Sequence, residues 1–267
     1  MSVVTRSVLG KGVTDEALNG RVAVVTGSSH GLGAGVAARF YELGLRVGMC
    51  GRKRPEPPPG SDLKRIATMS ADVRDASDLE ALTASVSQRF GRVDLWVNNA
   101  GVIDPIGKLA DVDPGMIAHH VAVNFIGVAN GSRTFARHVR TRPGGGVLVN
   151  ITSGAANTVY CGWAVYCASK AAVEQLTAVV AEEEKEDGLR AYSLAPGLVD
   201  TDMQAKVRAA SPKAFPAVEK FLEAKRNGTF NTPSWVADAI LELAFGEVDV
   251  ASGGVVRVPD EWDAKQT

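Results

Sequence analysis

Cysteine is scarce in this chain: three residues in 267, Cys50, Cys161 and Cys167. An odd number without paired spacing excludes a disulfide framework and a thiolate metal site, and points to reduced thiols. An excess of one charge is also missing. Twenty-nine lysines and arginines face thirty aspartates and glutamates, a net of −1, so charge implies no nucleic-acid or membrane partner. No apolar run reaches membrane-spanning length and no leader of the secretory type is present, so a cytoplasmic protein is expected. No internal repeat and no linker divides the chain. What is there is 45 % hydrophobic and 22 % charged residues, the balance of a globular protein. The length suffices for one α/β domain with a full core.

Apolar runs and helical patterns alternate. Strands are expected at 22–26, 46–50, 66–69, 93–97, 146–152, 190–195 and 254–258, with helices between them, among these 76–90 and 165–184. Such alternation predicts an α/β fold with a parallel sheet and helices on both faces. Residues 1–20 are mixed and polar and read as a loose N-terminal extension; 21–267 reads as a single domain. The four prolines of 54–60 read as a stiff loop, and the charge run 182–187 as a solvated helix end. Residues 202–233 break the alternation and carry Met203, Phe215, Phe221 and Phe230.

Three motifs carry chemistry. In Tyr166-Cys167-Ala168-Ser169-Lys170 the tyrosine and lysine are four apart, which puts them on one helix face. A neighbouring ammonium favours the phenolate, so Lys170 is expected to lower the tyrosine's pKa and fit it for proton transfer to an alcohol or ketone oxygen. A packed tyrosine beside a solvated lysine has the same spacing. Upstream, Thr26-Gly27-Ser28-Ser29-His30-Gly31-Leu32-Gly33 lies between the strand run Val22-Ala23-Val24-Val25 and a helical stretch closed by Gly44. Strand, glycine turn and helix together form a dinucleotide-binding context: the glycines admit a pyrophosphate to the backbone, and the helix N-terminus offers it free N–H groups. Ser153 ends the run Val147-Leu148-Val149-Asn150-Ile151-Thr152, thirteen residues before Tyr166. There a hydroxyl points into the crevice where open α/β sheets bind ligands.

With these motifs in this order, the chain resembles the short-chain dehydrogenase/reductase family from about Arg21 to Val258. Asn98-Asn99-Ala100-Gly101, Asn124 in Val123-Asn124-Phe125, and Pro196-Gly197-Leu198-Val199-Asp200-Thr201 match further family segments. The resemblance implies a Rossmann-type, doubly wound, seven-stranded parallel sheet. It implies a catalytic set of Asn124, Ser153, Tyr166 and Lys170, with Asn124 holding a water that links Lys170 to solvent. It implies cofactor contacts at Gly27, Ser29, His30, Gly31, Leu32, Gly33, Asp72, Val73, Asn99, Ala100, Gly101, Tyr166, Lys170, Pro196, Gly197, Val199, Thr201 and Met203. It makes 202–233 a substrate lid and the protein a homodimer or homotetramer acting on a small-molecule carbonyl compound, with no metal. Ser153-Gly154-Ala155-Ala156, Gly162-Trp163, Tyr166-Cys167 and Asp200-Thr201-Asp202-Met203-Gln204 resemble more narrowly the branch holding sepiapterin reductase and the benzil reductases.

The choice of nicotinamide is legible at the second strand. It ends in Gly51-Arg52-Lys53-Arg54, without the carboxylate that selects NAD. Glycine leaves room, and Arg52, with Lys53 and His30 nearby, can hold a 2′-phosphate. NADP(H) is therefore the expected cofactor. The expected reaction is reduction of an aromatic or vicinal diketone, the carbonyl oxygen bonded by Ser153 and protonated by Tyr166 and the substrate walled by Trp163. A 3-oxoacyl thioester reductase or secondary-alcohol dehydrogenase on the same scaffold is the alternative, favoured by the basic residues Lys206, Arg208, Lys213, Lys220, Lys225 and Arg226. A cofactor-sensing protein without chemistry is the alternative of another class; the intact Ser153, Tyr166 and Lys170 count against it.

Overall fold

A computed structural model describes residues 8, 9 and 12–264. Seven strands form one sheet: β1 (Val22–Thr26), β2 (Arg46–Gly51), β3 (Ile66–Ser70), β4 (Leu95–Asn98), β5 (Gly146–Ile151), β6 (Leu189–Ala195) and β7 (Val255–Arg257). Their order is β3-β2-β1-β4-β5-β6-β7, and every pair is parallel. The helices are α1 (Asp15–Leu18), α2 (Gly31–Glu42), α3 (Ala76–Phe90), α4 (Pro114–Val121), α5 (Gly127–Arg140), α6 (Ala164–Glu183), α7 (Asp202–Arg208), α8 (Val218–Asn227), α9 (Pro233–Phe245) and α10 (Glu261–Ala264). This is the doubly wound, Rossmann-type sheet that the sequence predicts.

Side chains along a strand alternate between faces, and here both faces are buried. Ala23 and Val25 of β1 join a core built with α2 and α9. Val22 and Val24 join the opposite core, with α3 and α5. Strands buried on both sides must be apolar throughout, which is why the runs were readable. Chain order reverses between β1 and β4, so the crevice at their carboxyl ends is the topological switch point where such sheets bind ligands.

The N-terminal segment differs from the expectation of a loose extension. Val13 and Leu18 are buried, and the Val8 and Leu9 N–H groups donate to Glu242 at 2.6 and 2.9 Å. Glu242 sits on α9, nearly all of which is buried. Its carboxylate takes backbone donors, as a buried charge must. The expectation for residues 1–7, 10 and 11 lies outside the described residues.

Candidate active site

The glycine turn is shaped by what side chains would hit. Gly27 and Gly31 have φ of +65° and +60°, a region that L-residues rarely adopt. A Cβ on Gly33 would lie 2.4 Å from the Gly27 carbonyl oxygen and from Asn99 Nδ2. Asn99 closes the turn from the other side, its amide donating to the Thr26 and Gly27 carbonyls at 3.0 and 3.2 Å. α2 begins at Gly31, and its N-cap, His30, makes no capping bond. The first N–H groups of α2 thus face the crevice uncapped, and a pyrophosphate fits this cradle.

At the end of β2, a Cβ on Gly51 would sit 2.2 Å from Ser29 Oγ. The room left by glycine is therefore used by Ser29, whose hydroxyl donates to the Lys53 carbonyl at 3.0 Å. Arg52 is exposed, and among the described residues no acceptor is bonded to its guanidinium. His30 is 3.7 Å from Asp202 on α7, so it faces a carboxylate of the 202–233 segment. Asp72 pairs with Arg74 at 2.5 Å, and that hydrogen bond holds its carboxyl below the ordinary range. Val73 packs where a Cβ on Gly127 would lie, 2.6 Å from Val73 Cγ2.

Across the crevice, β5 runs into Ser153, whose Oγ caps the turn at Gly154–Ala156 by accepting from the Ala155 N–H at 3.2 Å. Tyr166 and Lys170 rise from α6 and are buried. Lys170 Nζ donates to the Ile151 carbonyl at 2.8 Å and lies 5.8 Å from the Tyr166 ring centroid. The predicted lowering of the tyrosine's pKa is not the net result. Burial pushes the phenol up, and its hydrogen bond with Ser153 opposes this in part. Burial also brings the Lys170 ammonium down to about 8. Tyr166 is thereby held as a phenol, the form that gives a proton.

Asn124 lies in a π-turn, Ala122–Ile126, between α4 and α5. Such turns concentrate at functional sites. Its amide is already committed: Oδ1 accepts from the Val102 N–H, and Nδ2 donates to the Val102 carbonyl, both at 2.8 Å. The Asn124 side chain is thus tied to the Val102 main chain.

Pro196 and Gly197 are fastened by Asn231, whose Nδ2 donates to the Pro196 carbonyl at 2.9 Å. Thr201 caps α7, and Met203 packs in the cluster with Phe215 and Phe221. Residues of the 202–233 segment join Trp163 and Tyr166 in an aromatic cluster. Trp163 stacks on Phe215 at 4.3 Å between ring centroids and meets the Tyr166 ring edge-on at 5.3 Å. Trp163 is 4 % exposed, covered by the rings of Phe215, Phe221 and Tyr166. Two buried residues had no sequence signal: Asn231, alone in a loop, and His120, one helical turn before Asn124. Among the described residues no cluster suits a metal, and no helix is long and apolar enough to cross a membrane.

Residues 21–212 match the family described as short chain dehydrogenase. The chain belongs to that family. Among its curated relatives, the benzil reductase ((S)-benzoin forming) of Bacillus subtilis is 30 % identical over 82 % of this chain and 91 % of its own length. The 2-(R)-hydroxypropyl-CoM dehydrogenase of Xanthobacter autotrophicus is 32 % identical over 91 % of this chain and 99 % of its own. A short chain dehydrogenase/reductase structure from Saccharomyces cerevisiae superimposes with a TM-score of 0.79 at 26 % identity, covering 92 % of this chain and 98 % of that one. Family membership makes this short-chain dehydrogenase a nicotinamide-dependent oxidoreductase of CH–OH or C=O groups.

Proposed function

We propose that this protein is an NADPH-dependent carbonyl reductase acting on an aromatic or vicinal diketone. The observation that carries the reading is Tyr166: a tyrosine buried on α6, whose phenol is pushed up by burial and drawn part-way back by Ser153, the residue that follows β5. When bound, the dihydronicotinamide supplies hydride to the carbonyl carbon. Ser153 Oγ–H donates to the carbonyl oxygen as negative charge grows there, and Tyr166 gives that oxygen its proton. Proton transfer from a positioned group contributes roughly 10²–10⁴-fold. Lys170, its Nζ 5.8 Å from the Tyr166 ring centroid, stabilises the phenolate left behind. The Gly27–Gly33 turn and α2 would hold the pyrophosphate, and Arg52 the 2′-phosphate.

Three features favour a flat neutral substrate. The small residues Gly154, Ala155 and Ala156 follow Ser153, the rings of Trp163 and Phe215 stand behind Tyr166, and four of the six lid cations are paired with carboxylates. Lys206 pairs with Asp104 at 2.6 Å, Arg208 pairs with Asp200 at 2.9 Å, Lys225 pairs with the same carboxylate, and Arg226 pairs with Glu219 at 2.6 Å. A basic entrance for a phosphopantetheine thioester is thus largely neutralised. Sepiapterin reductase anchors its pterin with an acid near the last strand, where this chain has Arg257 on β7. The Xanthobacter relative supports a second reading, oxidation of a secondary alcohol by the same groups in reverse.

NADPH oxidation with benzil, sepiapterin, an acetoacetyl thioester and, in reverse, secondary alcohols tests the reading. Benzil is expected to be reduced at one carbonyl to a hydroxyketone, with the highest kcat/KM of the panel. A preference for pterin, thioester or alcohol oxidation overturns the substrate assignment. No turnover of any compound leaves the cofactor-sensing reading. We further infer a homodimer or homotetramer in the cytoplasm, which sedimentation and fractionation would check.

A further inference from the structure

His120 is fully buried in the last turn of α4, where no function of the reductase so far described uses it. Its partners fix its chemical form. Nδ1 is 2.7 Å from the Asp104 main-chain oxygen. A carbonyl only accepts, so Nδ1 carries the proton. Nε2 is 2.9 Å from Asn124 Nδ2. The Asn124 amide cannot be turned round, because its Oδ1 accepts from the Val102 N–H at 2.8 Å. Nδ2 thus presents one hydrogen to the Val102 carbonyl at 2.8 Å and the other to the Nε2 lone pair. Ser169 Oγ lies 3.0 Å from the same nitrogen and 2.8 Å from the Tyr166 main-chain carbonyl; its one hydroxyl hydrogen can turn to the Nε2 lone pair or to that carbonyl. One neutral imidazole, in one tautomer, satisfies the network.

This places His120 at a junction of three segments: the loop through Val102 and Asp104, the π-turn around Asn124, and α6 between its two active residues. The ring also meets the Tyr166 ring edge-on, with centroids 6.0 Å apart. A buried, fully satisfied polar network imposes one arrangement on the groups it joins. Resting on the carbonyl-reductase reading, we propose that His120 is a positioning residue: its neutral Nδ1–H imidazole locks Asn124 to α6, and its protonation loosens the Tyr166–Lys170 geometry.

The surroundings give the switch its direction. Burial, the Lys170 ammonium and His119 disfavour a charge on His120; the Asp104 carbonyl and carboxylate favour it. The balance holds His120 below its ordinary value. Tyr166, Ser169 and Asn124 face it as neutral groups. A proton on Nε2 can be offered to Ser169 but opposes the Asn124 amide hydrogen. Activity is therefore full above the ordinary histidine range and falls as pH drops below it.

The test compares pH–rate profiles of wild type, His120→Phe, His120→Gln and His119→Gln with benzil and NADPH, together with long-range ¹H–¹⁵N spectra of the histidine rings. His119 is exposed and serves as the control. His120→Phe fills the space without hydrogen bonds, and kcat should fall about 10- to 100-fold, the scale of small misplacements at a reacting centre. NADPH affinity and the KM for benzil should change by less than about threefold. The acid limb should flatten, because the titrating ring is gone. His120→Gln keeps an acceptor for Asn124 and should recover part of kcat. At pH 7.5 the wild-type spectrum should show one imidazole protonated at Nδ1 and bare at Nε2. A His120→Phe enzyme with wild-type kcat and an unchanged acid limb, or an Nε2 protonated at pH 7.5, overturns the proposal. No turnover by wild type overturns the reductase reading beneath it.

Discussion

Lys170 Nζ donates a 2.8 Å hydrogen bond to the Ile151 carbonyl, so the helix that carries Tyr166 is fastened to the strand that delivers Ser153. A buried ammonium does this at a cost in stability. Burial brings Lys170 down from 10.5 to about 8. The folded protein then binds fewer protons than the unfolded chain between those values, so stability rises with pH across that window, and the cost is complete below it. Lys170→Met removes the titration. The thermal midpoint of wild type relative to the variant should improve from pH 7.5 to pH 10. A difference that stays flat with pH would show that the lysine is not held as described.

Arg52 stands exposed at the end of β2, with Gly51 before it. A charge-assisted hydrogen bond contributes roughly 1.5–3 kcal/mol, so Arg52→Ala should weaken NADPH binding by about 10- to 150-fold. NADH lacks the 2′-phosphate and should bind as before. Titration calorimetry with both cofactors decides this; equal losses would mean that Arg52 supports the loop and does not select the cofactor.

Gly33 admits no side chain, because a Cβ would lie 2.4 Å from the Gly27 carbonyl oxygen. The obstacle is backbone and cannot rotate away. Gly33→Ala should cost about 1–3 kcal/mol, the usual range for overpacking, and dinucleotide binding should be lost before folding is. Denaturant unfolding and fluorescence titration with NADPH measure the two effects separately. Unchanged affinity would remove the turn from the cofactor site.

Asp200 gathers two cations of the 202–233 segment, Arg208 from α7 and Lys225 from α8. Its side chain is 37 % exposed, so screening limits the energy to about 1 kcal/mol or less. Asp200→Asn should leave the thermal midpoint nearly unchanged, raise the KM for the ketone and speed proteolysis between α7 and α8. A protease pattern identical to wild type would show that the pair does not restrain the lid.

The sheet was legible because both faces of its central strands are buried, so β1, β4 and β5 are largely apolar runs whatever their register. Ser153, Tyr166 and Lys170 were legible because their spacing is local to one strand end and one helix. Their electrostatics were not. Spacing puts an ammonium beside a phenol, but the sign of the tyrosine's shift depends on burial, which arises when Tyr166 packs into the cluster with Trp163, Phe215 and Phe221. His120 and Asn231 gave no signal for a related reason. Each is a single polar residue whose partners come from segments distant in sequence. The packed N-terminal segment was missed because Glu242 lies within an apolar helix more than 230 residues away.

The central claim is that Tyr166 protonates a ketone oxygen. Tyr166→Phe removes one hydroxyl from a ring held by Trp163 and His120, so fold and cofactor binding should survive. The decisive measurement is NADPH oxidation by wild type and Tyr166→Phe with benzil at neutral pH, beside NADPH titrations of both. The account predicts a fall in kcat of roughly two to four orders of magnitude at unchanged NADPH affinity. Retention of more than about a tenth of the wild-type rate, well outside that range, would contradict it.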